Sequence, residues 1–483
     1  MGVIGGYRER ALSAVKWSVS GDLAEQSIRL IFGVALARLL PPRDFGLIAM
    51  VTAITQIVGA LAELGLADAI VQRRELTEAH RSSVFWVLLL AGCVLGAAQV
   101  AGATVIASVY GAHELTALAV VLSLLFVLDA IGFVPRAILA RRLDFRVVAW
   151  LQCGVATLAM ASAVILAARG FGVKSLAADL LLTSALESLL LLIASRWRPR
   201  LEFHVAALRD LFGFSANRFL ARVLGFSAGP MDQLLIGALT GSGALGLYVR
   251  AFNLTRLPIT NVSRSIVRAM FPSLALIQHD TVRTRDVYLR ALPAVALATC
   301  PMCLGFLATA EPLVVGVLGP QWRGTVPLLR ILSVAGLVQS VSVLATSVYL
   351  SQGRTDLQFR LAGLERLSTI AALVIGLQWG TLGAATAYVF AAVLNALPML
   401  YFAGRLIELD QRAVFARVSP VFVAAVVMTA IVVGIDVWVL SRVDLLARLV
   451  LEVAVGVFSY WGALRLLRVP AYADVMSVLQ RAA

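Results

Sequence analysis

The sequence predicts an all-α polytopic membrane protein of about 14 transmembrane helices, with two pseudo-symmetric six-helix lobes followed by two C-terminal helices. Three observations lead there. Of 483 residues, 60% are hydrophobic and only 14% charged, and the mean hydropathy is +0.91. A soluble chain of this length needs far more polar surface to face water. Apolar runs of about 20 residues, the length that crosses the hydrocarbon, recur from end to end. Finally, a helical-hairpin pattern near the N-terminus returns 200 residues later, Gly46 falling on Gly246.

Taken in order, apolar spans are expected near 17–38, 45–67, 83–109, 115–139, 147–168 and 174–194, forming a first lobe within residues 1–200. Spans near 212–239, 244–270, 288–310, 326–350, 359–378 and 382–403 form a second lobe within 201–404. Two more, near 415–435 and 444–467, lie in a C-terminal segment of 405–483 that ends in a short tail. The N-terminus does not read as a cleavable signal. Charged residues extend to Lys16, and the span that follows carries Asp22, Glu25 and Arg29.

The basic residues give the orientation. Arg73, Arg74 and Arg81, then Arg141, Arg142 and Arg146, then Arg196, Arg198 and Arg200 fall in alternate connections, and Arg136 is read with them. Later groups at Arg283, Arg285 and Arg290, at Arg405, Arg412 and Arg417, and at Arg465 and Arg468 keep the same side. Positively charged loops stay in the cytoplasm, so both termini are expected there. The same clustering explains the net charge of +14 by orientation in a membrane, and nucleic acid is not expected as a partner. The outer connections are short and leave no room for an external catalytic domain.

The repeat is the second organising signal. Ala35 to Leu47 aligns without a gap on Leu235 to Leu247, and Gly46 and Gly246 are read as structural turn residues that let two helices approach closely. Gly170-Phe-Gly-Val-Lys-Ser-Leu-Ala-Ala is echoed by Gly380-Thr-Leu-Gly-Ala-Ala. The hairpin shift crosses an even number of spans, so both copies point the same way, as in parallel repeats related by an axis along the membrane normal.

Charges at membrane depth mark the candidate site, since each costs about 2.5–3.5 kcal/mol to insert and is placed toward an interior or a wet cavity. The first span presents Asp22, Glu25, Gln26 and Arg29 at helical spacing. The seventh places Asn217, Arg218 and Arg222 within two turns, with Asp232 further on, and the eighth holds Arg250, Asn253 and Arg256. Guanidinium groups grip phosphate or carboxylate bidentately, so a cationic chamber for an anionic ligand is expected. The bland alternative is that Arg29 pairs with Asp22 or Glu25 inside its own helix and that Arg218 and Arg222 snorkel from a helix start. Asp22, Glu25 and Asp232 are the candidates for binding a coupling H+ or Na+; Asp129, Asp179, Glu187 and Glu365 are further candidates, for each of which structural pairing is the preferred reading. The four histidines are scattered and no metal site or other cofactor is expected. Cys300-Pro-Met-Cys303 has redox spacing, yet its apolar surroundings point to packing and a proline bend. Neither paired carboxylates nor a nucleophile motif on a soluble domain suggests an enzyme.

Several stretches carry a family resemblance. Met231-Asp-Gln-Leu-Leu-Ile-Gly, Ala244-Leu-Gly-Leu-Tyr-Val-Arg-Ala, Leu257-Pro and Phe271-Pro-Ser-Leu, with the early Ala37-Arg-Leu-Leu-Pro-Pro-Arg-Asp-Phe-Gly-Leu47, resemble the polysaccharide-transporter branch of the multidrug/oligosaccharidyl-lipid/polysaccharide flippase superfamily. The resemblance implies twelve to fourteen helices in two lobes. It also implies alternating-access movement of undecaprenyl-diphosphate-linked oligosaccharide repeat units across the bacterial inner membrane, for surface or exopolysaccharide synthesis. On that reading, Arg29, Arg218, Arg222, Arg250 and Arg256 meet diphosphate or acidic sugars, and Gln26, Asn217 and Asn253 bond glycan hydroxyls. The implied partners are the polyprenyl-diphosphate-linked glycan, membrane lipids, and polysaccharide polymerase and export machinery. Competing readings are an exporter of drugs or small amphiphiles, a membrane glycan polymerase or ligase, and an envelope-assembly scaffold.

Overall fold

The computed structural model describes residues 2–62, 70, 76–142, 144–206, 208–209, 230–438 and 443–472. Helices account for nearly all of the secondary structure among them, as backbone groups in hydrocarbon require. Ten helical segments there are long and apolar enough to cross a membrane, and the longest, Thr355–Leu406, covers two of the expected spans. The chain is therefore a multi-pass membrane protein. It divides into two compact units, Met1–Gly246 and Leu247–Ala483.

The first unit contains α1 (Gly2–Leu39), α2 (Pro42–Ala62), α3 (Glu78–Tyr110), α4 (Glu114–Leu122), α5 (Leu124–Arg142), α6 (Phe145–Ala168) and α7 (Val173–Ser195). The fourth expected span is thus delivered in two pieces, α4 and α5, with Ser123 between them. Its helices pack closely where small residues meet, because lipid offers apolar side chains no less than a neighbouring helix does. Gly21 of α1 sits on Ala149 of α6, with a Cβ there only 2.5 Å from the alanine methyl. A Cβ on Gly92 of α3 would likewise stand 2.5 Å from the Phe126 carbonyl oxygen of α5, and one on Gly132 of α5 would stand 2.7 Å from Ser188 Oγ of α7. At the opposite end from the Tyr110–Glu114 turn, polar side chains tie the helix ends together. Thr77 caps α3 reciprocally with His80, Trp197 Nε1 donates to Glu78 Oε2 at 2.8 Å, and Arg142 donates to the Ser195 carbonyl at 2.9 Å.

The last part of this unit is the start of α8 (Met231–Pro258), which is broken at Gly241 with φ 83° and ψ 172°, a conformation that glycine adopts without a Cβ penalty. Here the repeat becomes visible as geometry. A Cβ on Gly46 would stand 1.7 Å from the carbonyl oxygen of Ser242, and a Cβ on Gly246 would stand 1.9 Å from that of Pro42. Pro42 and Ser242 are themselves partners under the 200-residue shift, so the two turns pack on each other reciprocally. The Gly170/Gly380 echo holds as well, both residues taking left-handed φ values, 83° and 72°.

The second unit continues α8 through a π turn at Ile259–Ser263 into α9 (Arg264–Leu276). The π turn follows Pro258 directly, where the missing N–H removes a helix bond. Then come α10 (Thr281–Ala308), a π turn at Pro312–Leu318, α11 (Thr325–Ser342), α12 (Ala345–Ser351), α13 (Thr355–Gly376), α14 (Gly380–Leu406), α15 (Gln411–Trp438) and α16 (Leu445–Leu466). Tyr288, Leu292, Val348 and Tyr349 belong to one of its buried clusters, and the Tyr349 hydroxyl donates to the Met399 carbonyl. Cys300 and Cys303 are free and buried in α10.

Candidate functional site

The first unit holds a half-open cavity of about 490 Å³ lined from α1, α2, α5 and α7, with charged and polar groups set in a largely apolar wall. Each helix supplies polar groups at helical spacing. From α5 come Asp129, Gly132 and Arg136, at i, i+3 and i+7; from α7 come Thr183, Ser184, Glu187 and Ser188. α2 adds Thr52, Thr55 and Gln56, and α1 adds Arg29. Gly132 matters because its bare Cα lets α5 close on Ser188, bringing the two charged rows face to face.

Hydrogen bonds tie the polar groups inside across the helices. Arg136 Nη2 donates to Glu187 Oε1 at 2.6 Å, and Ser184 Oγ donates to Asp129 Oδ1 at 2.5 Å. Ser188 Oγ donates to the Leu128 carbonyl at 2.6 Å, and Thr55 Oγ1 donates to Gln99 Oε1 at 3.0 Å. Gln99 in turn donates to the Ala119 carbonyl at 2.9 Å, which fixes its amide. Arg29 Nε donates to Glu25 Oε1 at 2.8 Å, the intrahelical pair that the sequence offered as the bland alternative. The pairing does not withdraw Arg29 from the cavity, whose wall it still forms. Two arginines and two carboxylates therefore line the space, and its electrostatics are those of a mixed-charge polar site. Such a site binds a phosphate through guanidinium while offering carboxylate and hydroxyl acceptors to sugar hydroxyls.

The remaining sequence candidates fall in different places. Asp22 lines a smaller neighbouring cavity of about 230 Å³, which also includes Arg136 and Gln152, while Gln26 is exposed. Asp232 is buried, with Oδ1 accepting from the Gln233 N–H at 2.9 Å, a bond that braces the first turn of α8. In the second unit, the Arg250 guanidinium lies 5.2 Å from the Trp322 ring centre, and Arg256 lies 5.4 Å from that of Phe252. Phe252 stacks on Tyr248 and meets Tyr388 edge-on, so Arg256 ends an aromatic row. Asn253 is exposed. Asn217, Arg218 and Arg222 lie outside the described residues.

The sequence alone groups Arg136 with the cytoplasmic arginines and so misses it as a cavity residue, while Asp129 and Glu187 are secondary candidates for which pairing is the preferred reading. The available signal was the shared helical stripe of Asp129, Gly132 and Arg136, which repeats the Asp22, Glu25 and Arg29 spacing of α1. Among the described residues, no group of three or more His, Cys, Asp and Glu side chains is arranged to hold a metal ion.

Fold and cavity define a polytopic helical transporter scaffold whose polar site lies within the bundle. The likeness to solved structures agrees: the lipid II flippase MurJ, in an inward closed conformation, superposes with a TM-score of 0.77, covering 95% of this chain and 100% of that one at 15% identity. The chain belongs to the family described as "Polysaccharide biosynthesis protein", whose model matches residues 35–327. It is 27% identical to the lipopolysaccharide biosynthesis protein WzxC of Escherichia coli (strain K12), over 82% of this chain and 81% of that protein. It is 24% identical to the teichuronic acid biosynthesis protein TuaB of Bacillus subtilis (strain 168), over 98% of each.

Proposed function

We propose that the protein is a flippase that moves undecaprenyl-diphosphate-linked oligosaccharide repeat units across the bacterial inner membrane by alternating access, for surface or exopolysaccharide synthesis. The observation that carries this reading is the mixed-charge cavity around Arg29 and Arg136, in a chain whose relatives take part in surface-polysaccharide biosynthesis. A diphosphate is doubly demanding at membrane depth, because its charge must be met without bulk water. Guanidinium groups do so bidentately, and the surrounding Thr, Ser and Gln side chains match sugar hydroxyls. Arg250 and Arg256 are candidate contacts for an anionic group within the second unit, and Asn217, Arg218 and Arg222 are further candidates by their residue type and place in the sequence. Export of small amphiphiles fits less well, since the cavity is rich in paired charge.

Both termini lie in the cytoplasm on this reading, and the polymerase and export machinery receive the translocated repeat unit. A cation gradient drives the cycle. Asp129 and Glu187 join Asp22, Glu25 and Asp232 as carboxylates able to exchange H+ or Na+, because their partners Ser184 and Arg136 line the same cavity.

The test is leaflet-to-leaflet movement of a defined undecaprenyl-diphosphate glycan in proteoliposomes, with proton and Na+ gradients varied separately. Wild-type protein is expected to move it, and Arg29→Ala and Arg136→Ala to slow it at least tenfold at equal reconstituted amounts. Absence of movement by wild type under every gradient overturns the flippase reading. Flux indifferent to both gradients removes the coupling.

A further inference from the structure

The C-terminal helix pair contains a second buried charge cluster, unrelated to the polar cavity of the first unit. Arg448 of α16 meets two carboxylates at once. Its Nη2 donates to Asp436 Oδ2 of α15 at 2.6 Å, and its Nε donates to Glu452 Oε1 one turn further along α16 at 3.0 Å. Nε also contacts Asp436 Oδ1, so both acids crowd a single nitrogen, and their side chains contact each other as well. Glu452 is 1% exposed, and its second oxygen, Oε2, has no hydrogen-bond partner. It lines an apolar cavity of about 600 Å³ between α10, α15 and α16, whose walls include Met302, Phe306, Val432 and Trp461.

The charge count is what matters. One arginine faces two carboxylates, so with every group ionised the cluster carries a net negative charge beside an apolar space. Among the described residues, no second cation is paired with the cluster, and Arg442, in the connection ahead of α16, lies outside them. On α15 the arginines are Arg412 and Arg417, at the end of the helix away from Asp436; on α16 Arg465 lies at the far end from Arg448. Asp444, just ahead of α16, is engaged in capping that helix, accepting from the Leu446 N–H at 3.1 Å. The stretch of α10 that lines the cavity, Leu297–Ala308, contributes only the thiols Cys300 and Cys303 among titratable groups, and the π turn Pro312–Leu318 contributes none. Beside that turn, Glu311 is engaged with Arg323 at 3.9 Å. Tyr460 and Tyr472 line the cavity, but the Tyr460 hydroxyl donates to the Leu297 carbonyl and the Tyr472 hydroxyl accepts from Trp461 Nε1.

We propose that Asp436 and Glu452 form a proton-binding site in which the two carboxyls share one proton beside Arg448. The shared proton makes the cluster neutral and gives the crowded oxygens a donor, as happens when two acids lie too close for both to ionise. A sodium ion is the poorer occupant, since the described residues offer no third acidic or histidine ligand at this place. Asp436 is near the C-terminus of α15 and Arg448 near the N-terminus of α16, so the site sits where these two adjoining helix ends meet. Loss of the proton leaves Glu452 charged against the apolar cavity, which favours hydration of that cavity and loosening of α16 from α10.

The site is read independently of transport. Purified full-length protein in liposomes is titrated from acid to alkaline pH by infrared difference spectroscopy, in sodium-free and sodium-containing buffer, alongside Glu452→Gln and Asp436→Asn. Expected is a protonated-carboxyl band in wild type that titrates and is lost in either variant, because a lone carboxylate beside Arg448 stays ionised. Potentiometry should show release of about one proton fewer per chain in each variant. Either variant suffices if the other fails to accumulate, and Arg448→Gln should keep the band. An unchanged band in the variants overturns the proposal. So does a wild-type spectrum without a variant-sensitive band, or a band that sodium abolishes at constant pH.

Discussion

Arg136 shows how one residue can satisfy two readings. Its position near a cluster of loop arginines places it with the positive-inside signal, yet its guanidinium reaches Glu187 across the helix interface. Removing it strands a largely buried carboxylate, while removing both partners does not. Arg136→Gln is therefore expected to cost about 1–3 kcal/mol, and Arg136→Gln combined with Glu187→Gln to recover most of that. Thermal unfolding of detergent-purified protein measures both. Single-residue chemistry of this sort was only half legible in the sequence. The helical stripe of α1 announced Glu25 and Arg29, because their partner is four residues away on the same helix. Arg136 and Glu187 are 51 residues apart and meet only once α5 and α7 are packed.

At the scale of an element, the broken α8 is the clearest case of sequence dictating form. Its Gly-rich centre predicts a reversal, and Gly241 supplies the left-handed backbone there. Beyond it, Gly246 and its counterpart Gly46 are pressed against carbonyl groups, whereas a methyl on Gly243 in the same stretch would have nothing within 4 Å. Gly46→Ala and Gly246→Ala are each expected to destabilise by about 1–3 kcal/mol through overpacking, and Gly243→Ala to be neutral or to stabilise by up to about 1 kcal/mol. A temperature scan of the three variants decides it. The repeat was readable because turns need particular residues at particular places. The π turns at Ile259–Ser263 and Pro312–Leu318 were not, since Pro258 predicts a bend but not which carbonyl the chain bonds next.

For the molecule as a whole, hydropathy and arginine placement carried the fold class, and the helices fall close to the expected spans wherever residues are described. The division into packed units did not follow from composition, because it depends on which apolar faces find one another. The proposed topology makes a direct prediction in cells. In a cysteine-free background, Phe171→Cys in the α6–α7 turn should react with a membrane-impermeant thiol reagent added outside, and Thr355→Cys at the start of α13 only after permeabilisation. The opposite pattern inverts the orientation. Both positions are exposed at helix ends, so labelling reads sidedness and not burial.

The mutual seating of Gly46 on Ser242 and of Gly246 on Pro42 makes the two turns interdependent. Neither segment is at liberty to change alone, for a bulkier residue in one would be refused by the other's main chain. Side chains elsewhere carry no such tie, and there the matching stretches differ, while at this small seam both keep a residue without a side chain.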